Sequence, residues 1–66
     1  MNIGIIGAGN VGGTLGEIWS KAGHQVMFSF SRHPERLQTL ATQIGSNAMS
    51  GTPAEAVNFA DVVLFA

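Results

Sequence analysis

The chain has 66 residues, which is one domain at most, and a domain of that size buries only about 60% of the surface its unfolded form exposes. It has no cysteine, which excludes disulfides and thiolate metal sites, and its two histidines and four carboxylates are too scattered to suggest a metal cluster. With a net charge of −1 and only 11% charged residues, the sequence has no basic patch for nucleic acid and no polybasic run for an anionic membrane.

The amino terminus lacks the basic region of a signal peptide, and its apolar run is cut short by glycines. No apolar stretch approaches the roughly 18 residues of a membrane span. A cytoplasmic protein is the expectation. Residues 2–6, Asn-Ile-Gly-Ile-Ile, read as a strand buried on both faces, as in a parallel sheet. After the glycine-rich segment that follows, Val11, Leu15, Ile18, Trp19 and Ala22 recur at helical spacing and predict one buried stripe. Glu17 and Lys21 are four apart and read as an exposed ion pair. Gly23 stands where a helix ends in a left-handed residue. His24, in the turn after it, reads as solvated.

Residues 25–30 read as a second strand, with Met27, Phe28 and Phe30 mostly in the core. Pro34 suits the first position of a second helix, whose buried stripe is Leu37, Leu40, Ala41 and Ile44, and Gly45 ends it. Residues 47–50 allow a short third strand. Thr52-Pro53-Ala54-Glu55 is a capping box that opens a third helix. Asp61 ends that helix or caps a fourth strand over residues 62–66. The order βαβαβαβ predicts an α/β fold with a doubly wound parallel sheet of the Rossmann type, first four strands only, in the order 3-2-1-4. Residues 1–66 are then expected to be the N-terminal part of a nucleotide-binding domain truncated at its carboxyl end, with oligomer contacts in the missing regions.

The motif Gly7-x-Gly9-x-x-Gly12 directly follows the first strand and opens the first helix, the context that gives such a motif meaning. Gly7 permits the tight turn, Gly9 lets a diphosphate approach the backbone, and Gly12 lets helix and strand pack closely. Free N–H groups of the first helical turn then face the phosphates. Ala8, Asn10 and Val11 line the turn, and Gly13 and Gly16 extend the close-packed face. A P-loop is excluded, because no Gly-Lys-Ser/Thr follows.

An NAD site usually carries Asp or Glu at the end of the second strand, on the ribose 2′-hydroxyl. Here that region reads Ser29-Phe30-Ser31-Arg32-His33, with hydroxyls, a guanidinium and an imidazole but no carboxylate. Such groups suit a 2′-phosphate, and Arg36, one turn into the next helix, adds a second charge. NADP is therefore favoured over NAD. A helix N-cap is the alternative role for His33, and Phe30, otherwise strand core, could flank the adenine.

The run Met1-Asn2-Ile3-Gly4-Ile5-Ile6-Gly7-Ala8-Gly9-Asn10-Val11-Gly12 resembles NADP-dependent oxidoreductases of the coenzyme F420 type. Ser31-Arg32-His33-Pro34-Glu35-Arg36 is similar to that family's Ser-Arg-x-Pro-Glu-Lys/Arg pattern, and Gly51-Thr52-Pro53-x-Glu55-Ala56-Val57 with Ala60-Asp61-Val62-Val63-Leu64 also resembles it. The resemblance implies that Ser31, Arg32 and the later basic residue hold the 2′-phosphate and that Ala66 approaches the cofactor. Phe30 stands where the family tends to have glycine. Pyrroline-5-carboxylate reductases and β-hydroxyacid dehydrogenases share the same first half.

The implied activity is hydride transfer between NADP(H) and a small molecule, with coenzyme F420 as co-substrate. In that family hydride passes directly between two cofactors, so no general acid or base is required, and none of the residues here is assigned catalysis. The alternative from another class is a non-catalytic NADP-sensing regulatory domain.

Overall fold

Strands that are followed by helices long enough to bring the chain back must pair in parallel, and they do. The computed structural model describes residues 1–7, 9–31 and 34–66, with Asn10 and Pro34 described by their backbone alone. Its elements are β1 (Asn2–Ile6), α1 (Asn10–Lys21), β2 (Gln25–Ser29), α2 (Pro34–Ile44), β3 (Ala48–Ser50), α3 (Pro53–Phe59) and β4 (Val62–Phe65). They build one sheet in the order β3-β2-β1-β4, all parallel, as the sequence predicts. Among the described residues no helix is long and apolar enough to cross a membrane.

The pairing register places Ile3 beside Val26 and Ile5 beside Phe28. Alternation along a strand then puts these four side chains on one face. Together with Leu37 of α2 they form the buried core, and Trp19, Leu40, Ile44 and Leu64 pack against it. Gly4 faces the other way. A Cβ there would lie 2.8 Å from the carbonyl of Ala56, so the missing side chain lets α3 lie close on the second face.

The helix ends follow the sequence signals. Gly23 and Gly45 have φ of +98° and +118°. Thr52 Oγ1 accepts from the Glu55 N–H at 3.1 Å, and Glu55 Oε1 accepts from the Thr52 N–H at 2.9 Å, which completes the capping box. The stripe predicted for α2 is the one the sheet covers, with Leu37 and Ala41 buried and Leu40 and Ile44 half-buried. Glu17 and Lys21 pair on the surface at 3.1 Å.

Several expectations are corrected. The sheet-facing side of α1 is Gly12, Gly16 and Ser20, all buried, while Val11, Ile18 and Ala22 are exposed and Leu15 and Trp19 only half-buried. A helix that must lie directly over the Phe28 ring presents small residues, because a Cβ at Gly16 would run into that ring. The second strand ends at Ser29, one residue early, since Phe30 turns to φ 60° and leaves the core, 63% exposed. His24 is half-buried and its Nδ1 lies 3.0 Å from the terminal amine of Met1.

The third strand also begins one residue later than read. Asn47 serves as a tie instead, accepting from Gln25 Nε2 at 3.0 Å and donating to the Ser20 carbonyl at 3.1 Å. Asp61 starts β4 by bracketing Asn2: its Oδ2 accepts the Asn2 N–H at 2.9 Å, and its own N–H donates to the Asn2 carbonyl at 2.7 Å.

Candidate functional site

The carboxyl ends of β1, β2 and β4 meet at one edge of the sheet, where open α/β folds bind ligands. The chain leaves β1 at Gly7, whose N–H donates to the Ser29 carbonyl at 2.9 Å. Gly7 has φ +98°, a conformation that side chains resist, and a Cβ there would run into the carbonyl oxygen of Ala66. Gly9 N–H then donates back to the Gly7 carbonyl at 3.0 Å, closing the turn.

Gly9 is the N-cap of α1, and the first intrahelical bond runs from the Gly13 N–H to the Gly9 carbonyl at 2.9 Å. The N–H groups of residues 10–12 come before that bond, so no carbonyl within the helix can accept from them. No side chain caps them at the N-cap, and no acidic residue stands in the first turn to repel an anion. The helix dipole adds partial positive charge at the same place.

The three glycines of the motif have separable roles. Gly7 and Gly12 are required by the protein itself. A Cβ at Gly12 would lie 2.7 Å from the Gly7 carbonyl oxygen and 3.2 Å from both Ala66 Cβ and Ile5 Cγ2. Gly9 is different, with φ −91° and ψ −161°, which any residue can adopt, and, among the described residues other than its chain neighbours, no atom within 4 Å of the position its Cβ would take. Neither backbone nor packing asks for glycine there. A doubly charged diphosphate seated against the first-turn amides would ask for it, and the space it needs is open. The site therefore fits the dinucleotide that the motif implies.

Of the residues predicted for the site, Gly7, Gly9, Gly12 and Ala66 are brought together around the turn. Ala66 N–H donates to the Ile6 carbonyl at 2.9 Å, which holds the end of β4 against the turn. Val11 is exposed beside it, 66% accessible. Ser31 is half-buried just past β2, and Arg36 is exposed in the first turn of α2. Ala8, Arg32 and His33 lie outside the described residues, as does the side chain of Asn10. Among the described residues no group of His, Cys, Asp or Glu could hold a metal.

Ser29 is not available to a phosphate, although its hydroxyl was counted with those of the loop. It is fully buried, and its Oγ donates to the Ile5 carbonyl at 3.0 Å, locking the ends of β1 and β2 together below the turn. A lone serine closing an apolar strand is the signal for such a tie. His24 and Asp61 sit at the opposite, amino edge of the sheet, beside Met1 and Asn2.

A family model described as NADP oxidoreductase, coenzyme F420-dependent, matches residues 2–66. No curated protein and no solved structure matches the chain.

Proposed function

This chain belongs to the coenzyme F420-dependent NADP oxidoreductase family, and from that premise we propose that it seats NADP(H) for hydride exchange with a small redox partner of the deazaflavin class. As a member it is an NADP-linked oxidoreductase nucleotide-binding domain. The observation that carries the proposal is the open space at Gly9, where neither the backbone conformation nor any described neighbour requires glycine.

In this reading the amides of residues 10–12 bind the diphosphate beside Gly9, with Ala8, Asn10 and Val11 lining the turn. Ser31, Arg32, His33 and Arg36 bind the 2′-phosphate, and Ala66 borders the path from the turn toward the nicotinamide. The nicotinamide supplies the hydride chemistry when bound. The residues of this chain bind and orient, and they hold no proton for the reaction. NADP is preferred over NAD because residues 31–33 offer a hydroxyl and cationic groups, and residues 29–33 hold no carboxylate for a free ribose 2′-hydroxyl.

The test is parallel titration of the protein and of Arg32→Ala with NADPH and NADH. The variant should lose about 1–3 kcal/mol of NADPH affinity, the scale of a charge-assisted hydrogen bond, and leave NADH nearly unchanged. Equal losses for both nucleotides would contradict the 2′-phosphate assignment.

A further inference from the structure

Phe30 is the single non-glycine residue with positive φ among the described residues, at 60°. The left-handed conformation crowds the Cβ of any L residue, and a bulky one there is an outlier in need of a reason. Packing does not supply it, because the side chain is 63% exposed. Folding by itself would be served better by glycine, which takes this backbone freely and exposes no apolar ring. The position thus costs the fold twice, in backbone strain and in exposed apolar surface. Strain of this kind persists at sites where a ligand uses the result.

Its place in the fold says which ligand. Ile6 pairs with Ser29, so the next step along both strands sets Phe30 beside Gly7, at the glycine turn. The Gly7 N–H bond to the Ser29 carbonyl at 2.9 Å fixes that relation. Ser31 follows directly and leads into the segment read as holding the 2′-phosphate. Phe30 therefore stands between the diphosphate turn and the 2′-phosphate loop. The part of the dinucleotide that joins those two groups is adenosine, and its uncharged, flat component is the purine. From this placement we infer that Phe30 forms an aromatic wall against which the adenine base stacks, its strained backbone presenting the ring at the sheet edge. The inference rests on the NADP reading above and names a base-contacting residue within it.

The experiment titrates the full chain and three variants with NADPH and with adenosine 2′,5′-bisphosphate, which keeps the adenine and lacks the nicotinamide. Phe30→Gly and Phe30→Asn both suit the left-handed backbone and remove the ring. Each should weaken both ligands about tenfold, the scale of one base–aromatic stack. Phe30→Trp keeps an aromatic face and should hold affinity near that of the parent. The thermal midpoint of Phe30→Gly should not fall, so the lost affinity cannot be put down to unfolding. Parent-like binding by Phe30→Gly and Phe30→Asn would overturn the inference, as would a loss in Phe30→Trp as large as theirs. If the unaltered protein bound neither ligand, the nucleotide reading itself would fail. A parent that binds alongside indifferent variants sinks only the role of Phe30.

Discussion

Replacing Gly9 with valine is expected to abolish tight NADPH binding while leaving the protein folded. A valine side chain would fill the open space that the diphosphate needs and push it off the amides of residues 10–12. Hydrogen bonds to a charged group contribute about 1.5–3 kcal/mol each, so losing two weakens binding at least about a hundredfold. The fold has little stake in the change. The backbone at Gly9, φ −91° and ψ −161°, is open to valine, and no described residue beyond its chain neighbours lies within 4 Å of the new Cβ. A weaker N-cap costs about 1 kcal/mol. Nucleotide titration and thermal unfolding monitored by circular dichroism read the two quantities separately. Parent-like NADPH affinity in the valine variant would place the diphosphate elsewhere. Gly12 offers no such separation, because a Cβ there would press on the Gly7 carbonyl at 2.7 Å and disturb turn and helix together.

Phe28→Ala should have the largest effect on stability. Phe28 is fully buried and is the largest such side chain in the core. Truncating a buried phenylalanine costs about 3–5 kcal/mol, and a chain of this size has only about 3–10 kcal/mol in total. The neighbourhood cannot collapse to fill the gap, since the helix above it presents Gly16, which has no side chain to move in. Urea unfolding should show the midpoint falling by half or more. A midpoint close to the parent's would mean that the sheet does not depend on this ring.

Much of the fold is written in local signals. The apolar run at residues 2–6 reads as a strand covered on both faces, as in a parallel sheet, and the run at 62–66 reads as a fourth strand, which stands at the sheet edge with Val62 and Phe65 exposed. Gly23, Gly45 and the Thr52–Glu55 box mark helix ends because their chemistry is confined to single turns. The glycine turn is legible for the same reason.

What was hidden depends on contacts across the chain. The apolar stripe predicts that α1 buries Val11 and Ile18, yet both are exposed; the sheet lies against the close-packed glycine face read at Gly12 and Gly16, to which the structure adds Ser20, since closeness to Phe28 and Ile5 counts for more there than hydrophobicity. Ser29 stands in the hydroxyl-bearing stretch that suits a phosphate, but its own hydroxyl donates to the Ile5 carbonyl and belongs to the joint between β1 and β2. The left-handed turn of Phe30 could not be read from a residue type that so rarely adopts it. Different causes behind the glycines of one motif were equally invisible, because the letters at residues 7, 9 and 12 are the same while their surroundings are not.

The proposed function depends on main-chain amides at the start of α1 meeting the phosphates of a dinucleotide. Nitrogen–proton correlation spectra recorded during NADPH addition follow those amides one by one. On binding, the signals of Asn10, Val11 and Gly12 should move most, ahead of those of α3 and the amino edge near Asp61. Saturable binding that left these three signals in place would contradict it.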